Sequence, residues 1–141
     1  MNFFFDNCTS PVLASTIDGF IRNSGGRAVH IRDANHVGLS IGANASDVEW
    51  IEALGSSDDE WIVVTGDKRI SSVKAEREAF RRAGLRGFLL NPAYQKIKVN
   101  EQASTLIWRW AELTDVIGRF SPPTLIGVPQ SKTAKLNPLQ W

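Results

Sequence analysis

Four short apolar runs, "FFF" (Phe3–Phe5), "AVHIR" (Ala28–Arg32), "WIVVT" (Trp61–Thr65) and "GFLLN" (Gly87–Asn91), alternate with stretches of helical spacing. This alternation constrains the fold more than any other feature. The runs are too short for helices, and their β-branched and aromatic content marks strands, the third buried on both faces as parallel strands are. After the first run, Ser10 and Pro11 supply an N-cap and a first helical residue, and Val12, Leu13, Ile17, Phe20 and Ile21 follow at helical spacing up to Gly25-Gly26. "SDVE" (Ser46–Glu49) has the capping-box pattern, and "DVEWIEAL" continues it as a short helix ending before Gly55. A basic helix is predicted over about Val73–Ala83. A last helix is predicted over about Glu101–Phe120, with Leu106, Ile107, Trp110, Leu113 and Ile117 on one stripe. Strand and helix in alternation predict an α/β fold of three layers, a parallel sheet of four to five strands with helices on both faces.

The 141 residues suit one domain, with a core over about residues 1–120 and an extended tail over about 121–141. The tail reads as an edge hairpin, because Pro129 cannot donate to a central ladder. No apolar run approaches the ~18 residues of a spanning helix, so no membrane contact is expected. The start lacks a basic leader with a small-residue cleavage site, and the expected location is the cytoplasm. Cys8 is the single cysteine, which excludes an internal disulfide and a cysteine-based zinc cluster; it reads as a small buried side chain. His30 and His36 lack HExxH spacing and read as structural, half-buried histidines. Of the late tryptophans, Trp108 and Trp110 are expected in the core, and Trp141 is a candidate for an interface.

Charge is unevenly spread. Seven acids and no Lys or Arg lie between Asp33 and Glu60, whereas seven bases and two acids lie between Lys68 and Arg86. Such a division suits a chain that gathers carboxylates in one place and offers cations to a polyanion beside it. Asp6 and Asp67 each follow an apolar strand, and in a parallel sheet both face the same carboxyl-end crevice. Asp47, in the first turn of its helix, can reach the same end. The plainer reading of each acid alone is a cap, a turn former or a surface charge. Together, three converging carboxylates repel one another unless a cation or protons neutralise them. Oxygen ligands without cysteine or paired histidine favour Mg²⁺ or Mn²⁺ over zinc. A cation so held activates water against a phosphodiester. Lys74, Arg77 and Arg81, at i, i+3 and i+7, make a stripe able to contact phosphates.

"FFFDN", "SDVEWIEAL" and "WIVVTGDKRI" resemble the acidic motifs of PIN-like nucleases, in particular the short PIN-like toxins of bacterial toxin–antitoxin pairs. The similarity covers about residues 1–92. It implies a Mg²⁺- or Mn²⁺-dependent endoribonuclease of VapBC type, with Asp6, Asp47 and Asp67 as the acid cluster and an antitoxin protein as partner. PIN domains commonly carry a fourth acid close to the third. No Asp follows Asp67 closely here, so Glu76 in "KAERE" takes that place as a metal ligand. Asn7, Thr65 and Lys68 are expected to position water, backbone or phosphate. PIN-like relatives are often dimeric, which leaves a homodimer through the Glu101–Phe120 helix or the tail open beside a monomer.

The departure at the fourth acid keeps a second reading open, a decayed PIN-like module that binds RNA or protein without cutting. A receiver or aspartyl phosphatase also ends its first strand in Asp. The phosphatase wants a second Asp where this chain has Cys8, and the receiver wants a Lys after a fifth strand. "GLSIGANAS" matches neither GxGxxG nor GxxxxGK[ST], and reads as loop.

Overall fold

A computed structural model describes residues 1–141. The elements run β1 (Asn2–Phe5), α1 (Pro11–Ile21), β2 (Arg27–His30), α2 (Asp47–Gly55), β3 (Trp61–Thr65), α3 (Arg69–Ser72), α4 (Lys74–Ala83), β4 (Arg86–Leu90), α5 (Val99–Gly118), β5 (Thr124–Val128) and β6 (Asn137–Pro138). They form one six-stranded sheet of order β2-β1-β3-β4-β5-β6. The first five strands are parallel, and β6 pairs antiparallel to β5. This is the expected α/β architecture, consistent with a three-layer PIN-like fold, with one more strand than expected.

The three phenylalanines explain the layering. Successive side chains of a strand point to opposite faces, so Phe3 and Phe5 enter one core with Leu13 and Ile17 of α1 and Leu106 and Trp110 of α5. Phe4 enters the other, with Trp50 of α2 and Phe80 of α4. All three are buried. Phe3 meets Trp110 edge-on, with ring centroids 4.8 Å apart. At the α2–α4 contact, a Cβ on Gly55 would stand 2.7 Å from the Ala83 side chain, so the close helix approach requires glycine there.

Several details differ from the sequence reading. The second strand stops at His30 rather than Arg32, because the His30 ring accepts the Arg32 N–H at 3.3 Å and turns the chain into a 3-10 segment, Ile31–Val37. The short helix α3 was unexpected: four residues give no periodicity, and its turn is stabilised by the Ser71 and Ser72 hydroxyls donating to the Lys68 carbonyl. The tail does form an antiparallel pair at one end of the sheet, as expected of an edge hairpin, but only the two-residue β6 takes the edge itself, and β5, with Leu125, Ile126 and Val128 buried, lies one strand in. Pro129 falls one residue past the β5 ladder, where it breaks no pairing. Trp108 is 70% exposed rather than core, since it lies about 160° around α5 from both Leu106 and Trp110. Cys8 is exposed rather than buried, in the turn that follows β1. No helix is long and apolar enough to cross a membrane.

Candidate functional site

The strand order reverses between β1 and β3, since β2 flanks β1 on one side and β4 flanks β3 on the other. The carboxyl ends of such a pair open into a crevice. Register Phe5↔Val64 sets Asp6 level with Thr65. The Thr65 hydroxyl donates to Asp6 Oδ2 and accepts from the Asp67 N–H at 3.0 Å. On its other oxygen Asp6 accepts the Cys8 N–H at 3.1 Å. One threonine thus couples the two strand-end acids.

Asp47 arrives from the other core layer. Ser46 caps α2 by accepting the Glu49 N–H at 3.2 Å, which is one half of the capping box read from the sequence. Trp50, packed on Phe4, donates its indole N–H to Asp47 Oδ1 at 3.0 Å and fixes the carboxylate. Glu76 reaches in from the first turn of α4. Carboxylate oxygens of Asp47, Asp67 and Glu76 lie within 4.8 Å of one another.

A cation already stands among them. Arg69 donates from Nε to both oxygens of Asp67, at 3.1 and 3.0 Å, and its Nη2 lies 2.8 Å from Asp67 Oδ2 and 3.4 Å from Asp47 Oδ2. Burial pushes Asp67 up, but the Arg69 hydrogen bonds outweigh it and hold the carboxyl below its ordinary value. Asp6 goes the other way. Its burial, partly offset by the Thr65 and Cys8 hydrogen bonds and reinforced by Asp47 and Asp67, raises it to about 7. Glu76 is raised by burial and then by the Asp47 charge. Its Oε2 is buried without any hydrogen-bond partner. A buried carboxylate oxygen left without a donor, facing two further acids, fits a divalent cation through hard oxygen ligands.

Of the residues expected at the site, Asp6, Asp47, Asp67, Glu76 and Thr65 converge here. Asn7 instead braces the loop before α2, donating to the Ala43 carbonyl at 2.7 Å. Lys68 follows Asp67 but lines a neighbouring cavity. Lys74 and Arg81 lie about 140–160° around α4 from Glu76 and so face away from the carboxylates, whereas Arg77, the next residue, stands about 100° from Glu76 and is half-buried. Arg81 stacks on Trp141, 4.7 Å from the ring centroid. Arg69 and Trp50 were missed in the sequence, although the D-x-R spacing from Asp67 and the i, i+3 spacing from Asp47 were there to be read.

Neither the cysteine nor the buried histidine adds chemistry. Partial burial of the sulfur and the Asp6, Asp67 and Asp47 charges push the Cys8 thiol to about 12, so no reactive thiolate forms near neutrality. His30 accepts the Arg32 N–H on Nδ1, so Nε2 carries the proton and donates to the Thr9 carbonyl at 3.0 Å. Burial lowers its pKa and keeps the ring neutral.

Compared with known proteins, the family described as PIN like domain matches residues 1–92, the stretch from β1 through β4 that supplies every acid of the cluster. No curated protein matches the chain. No solved structure matches it either. PIN-like domains are commonly nucleases. The match spans the first 92 of 141 residues, and on it the chain belongs to the PIN-like domain family.

Proposed function

We propose that this chain is a metal-dependent endoribonuclease, the toxin component of a toxin–antitoxin pair, acting with Mg²⁺ or Mn²⁺ on RNA phosphodiesters. The observation that carries the reading is the acid cluster of Asp47, Asp67 and Glu76 at the β1–β3 switch point, with the unpartnered Glu76 Oε2 inside it. Asp47, Asp67 and Glu76 would hold the ion, and Asp6 stands beside them, aligned by Thr65. When bound, the ion lowers the pKa of a water and offsets charge developing on the phosphodiester. Asp6, held by Thr65 and the Cys8 N–H beside these ligands, would orient that water. Thr65 keeps the Asp6 carboxyl turned toward the crevice. An antitoxin protein and a second copy of this chain are the partners in this reading.

The test is RNA cleavage by the purified chain with Mg²⁺ or Mn²⁺ and with chelator. Cleavage is expected only with metal, and is lost in Asp6→Asn and in Asp67→Asn while both variants stay folded by circular dichroism. Variants that cut as well as the parent would remove the proposed site.

One observation favours a second reading, a PIN-like module that binds RNA or protein without cutting. Arg69 neutralises Asp67 and part of Asp47 without any metal. That reading predicts RNA binding with no cleavage at any divalent metal.

A further inference from the structure

Beside the acid cluster, at the carboxyl ends of β4 and β5, lies a cavity of about 540 Å³. Its size falls within the range of about 300–1,000 Å³ typical of small-molecule sites. The helix α3 forms one wall and the loop leading into β6 forms the other. Leu89, Val128, Pro129 and Leu139 give it an apolar floor, and Lys68 and Lys135 stand on opposite walls. No carboxylate lines it. Neither lysine forms an ion pair, in a chain where seven other cation–acid pairs form. Two unpaired cations over an apolar floor, directly after Asp67, make a pocket with a charge opposite to that of the cluster it adjoins.

The wall that carries Lys135 is built rather than loose. Arg109 of α5 is 2% exposed, and it donates to the Ser131 carbonyl at 2.9 Å and the Ala134 carbonyl at 2.5 Å. The Tyr94 hydroxyl donates to the Pro129 carbonyl at 2.9 Å. Ser131 Oγ accepts the Thr133 and Ala134 N–H groups, both at 3.1 Å. The buried guanidinium, paired with Glu112 and donating to two carbonyls of this loop, fixes the backbone from which Lys135 extends.

We propose that this cavity binds one nucleotide of single-stranded RNA next to the scissile bond, its base on the apolar floor and its phosphate between Lys68 and Lys135. The proposal rests on the ribonuclease reading above and adds to it the place where the strand is gripped. RNA is recognised mainly through unstacked bases and backbone phosphates. The floor supplies the apolar surface for the base and the lysines the phosphate contacts. The exposed Asn137 amide at the rim, which makes no side-chain hydrogen bond, can read a base edge.

The experiment is fluorescence anisotropy of labelled hexaribonucleotides (rA, rU, rC and rG) on the full chain in chelator, so that nothing is cut. Lys135→Ala, a surface change, is expected to weaken binding about threefold to tenfold and to reduce the salt slope by about 0.7, the single-strand value for one phosphate contact. Asn137→Ala is expected to narrow the differences among the four oligonucleotides without changing that slope. Parent-like binding and slope in both variants would overturn the proposal, even if the cavity were then found to take a peptide. Cleavage assays on the same proteins separate the two claims. Metal-dependent cutting with binding indifferent to both variants sinks the pocket and leaves the nuclease reading standing. Binding that depends on Lys135 in a chain that never cuts sinks the nuclease reading and leaves the pocket.

Discussion

The guanidinium of Arg69 spans both carboxylate oxygens of Asp67, with Nε 3.1 Å from Oδ1 and Nη2 2.8 Å from Oδ2. Asp67 and Asp47 therefore have a cationic partner that belongs to the chain itself, and a divalent ion must compete with it for the same charge. Removing that partner leaves the acids with stronger mutual repulsion and a stronger attraction for a metal. Arg69→Ala is expected to tighten Mn²⁺ binding about tenfold by calorimetry, equivalent to about 1.4 kcal/mol. Unchanged or weaker binding would show that Arg69 is no competitor.

Asp6 gives the metal-free protein a defined pH dependence. An unfolded Asp loses its proton near 3.8, and the folded Asp6 near 7. Between these values the folded state binds more protons, so stability falls as pH rises, by up to about 4 kcal/mol across the window. Glu76, raised in the same direction, adds to the fall, whereas the lowered Asp67 contributes stability that is lost only as pH drops below about 3.8. Urea unfolding in chelator from pH 4.5 to 7.5 is expected to show this decline. Asp6→Asn is expected to flatten it and to unfold at higher urea than the parent at pH 7.5. A parent curve that rises over this range contradicts the assignment.

Trp50 acts on the site through Asp47. Trp50→Phe keeps most of the packing on Phe4 and removes the indole donor to Asp47 Oδ1. Loss of one such hydrogen bond costs about 1 kcal/mol of stability. Groups that orient metal ligands typically matter more to the metal, so Mn²⁺ affinity is expected to fall about tenfold or more. Calorimetry on Trp50→Phe checks it, and an unchanged affinity would place Asp47 outside the metal's ligands.

Arg109→Leu removes the charged donors to the Ser131 and Ala134 carbonyls and the pairing with Glu112. A cost of about 2–3 kcal/mol is expected in urea unfolding. Amide exchange of residues 130–135 is expected to speed up more than that of β1. Uniform exchange changes would argue that Arg109 supports the core rather than the loop.

What the sequence made legible was whatever local chemistry decides. Phe3–Phe5 and Trp61–Thr65 could only be buried strands, and a carboxylate at the end of each faces one crevice once the sheet is parallel. Ser46 announced the start of α2 and so the position of Asp47. Long-range pairing was not legible. The β5 run "TLIGV" pairs with β4 across the whole of α5, and no local pattern states that partner. The tail was therefore placed at the edge, which β6 occupies. The basic stripe on α4 was periodic but carried no sign of which face Glu76 would take. Arg69 was hidden for a different reason: its grip on Asp67 depends on the α3 turn, too short to leave a periodic signal. The exposure of Trp108 was legible in hindsight from its angle on α5.

The central claim is that acids from α2, the β3 end and α4 together hold one divalent ion beside Asp6. Anomalous diffraction from crystals soaked in Mn²⁺ tests it most directly. The expected result is a single strong peak coordinated by Asp47, Asp67 and Glu76 beside Asp6, with Arg69 drawn away from Asp67. Density showing Arg69 still seated on both aspartates, with no manganese peak at the crevice, would contradict the account.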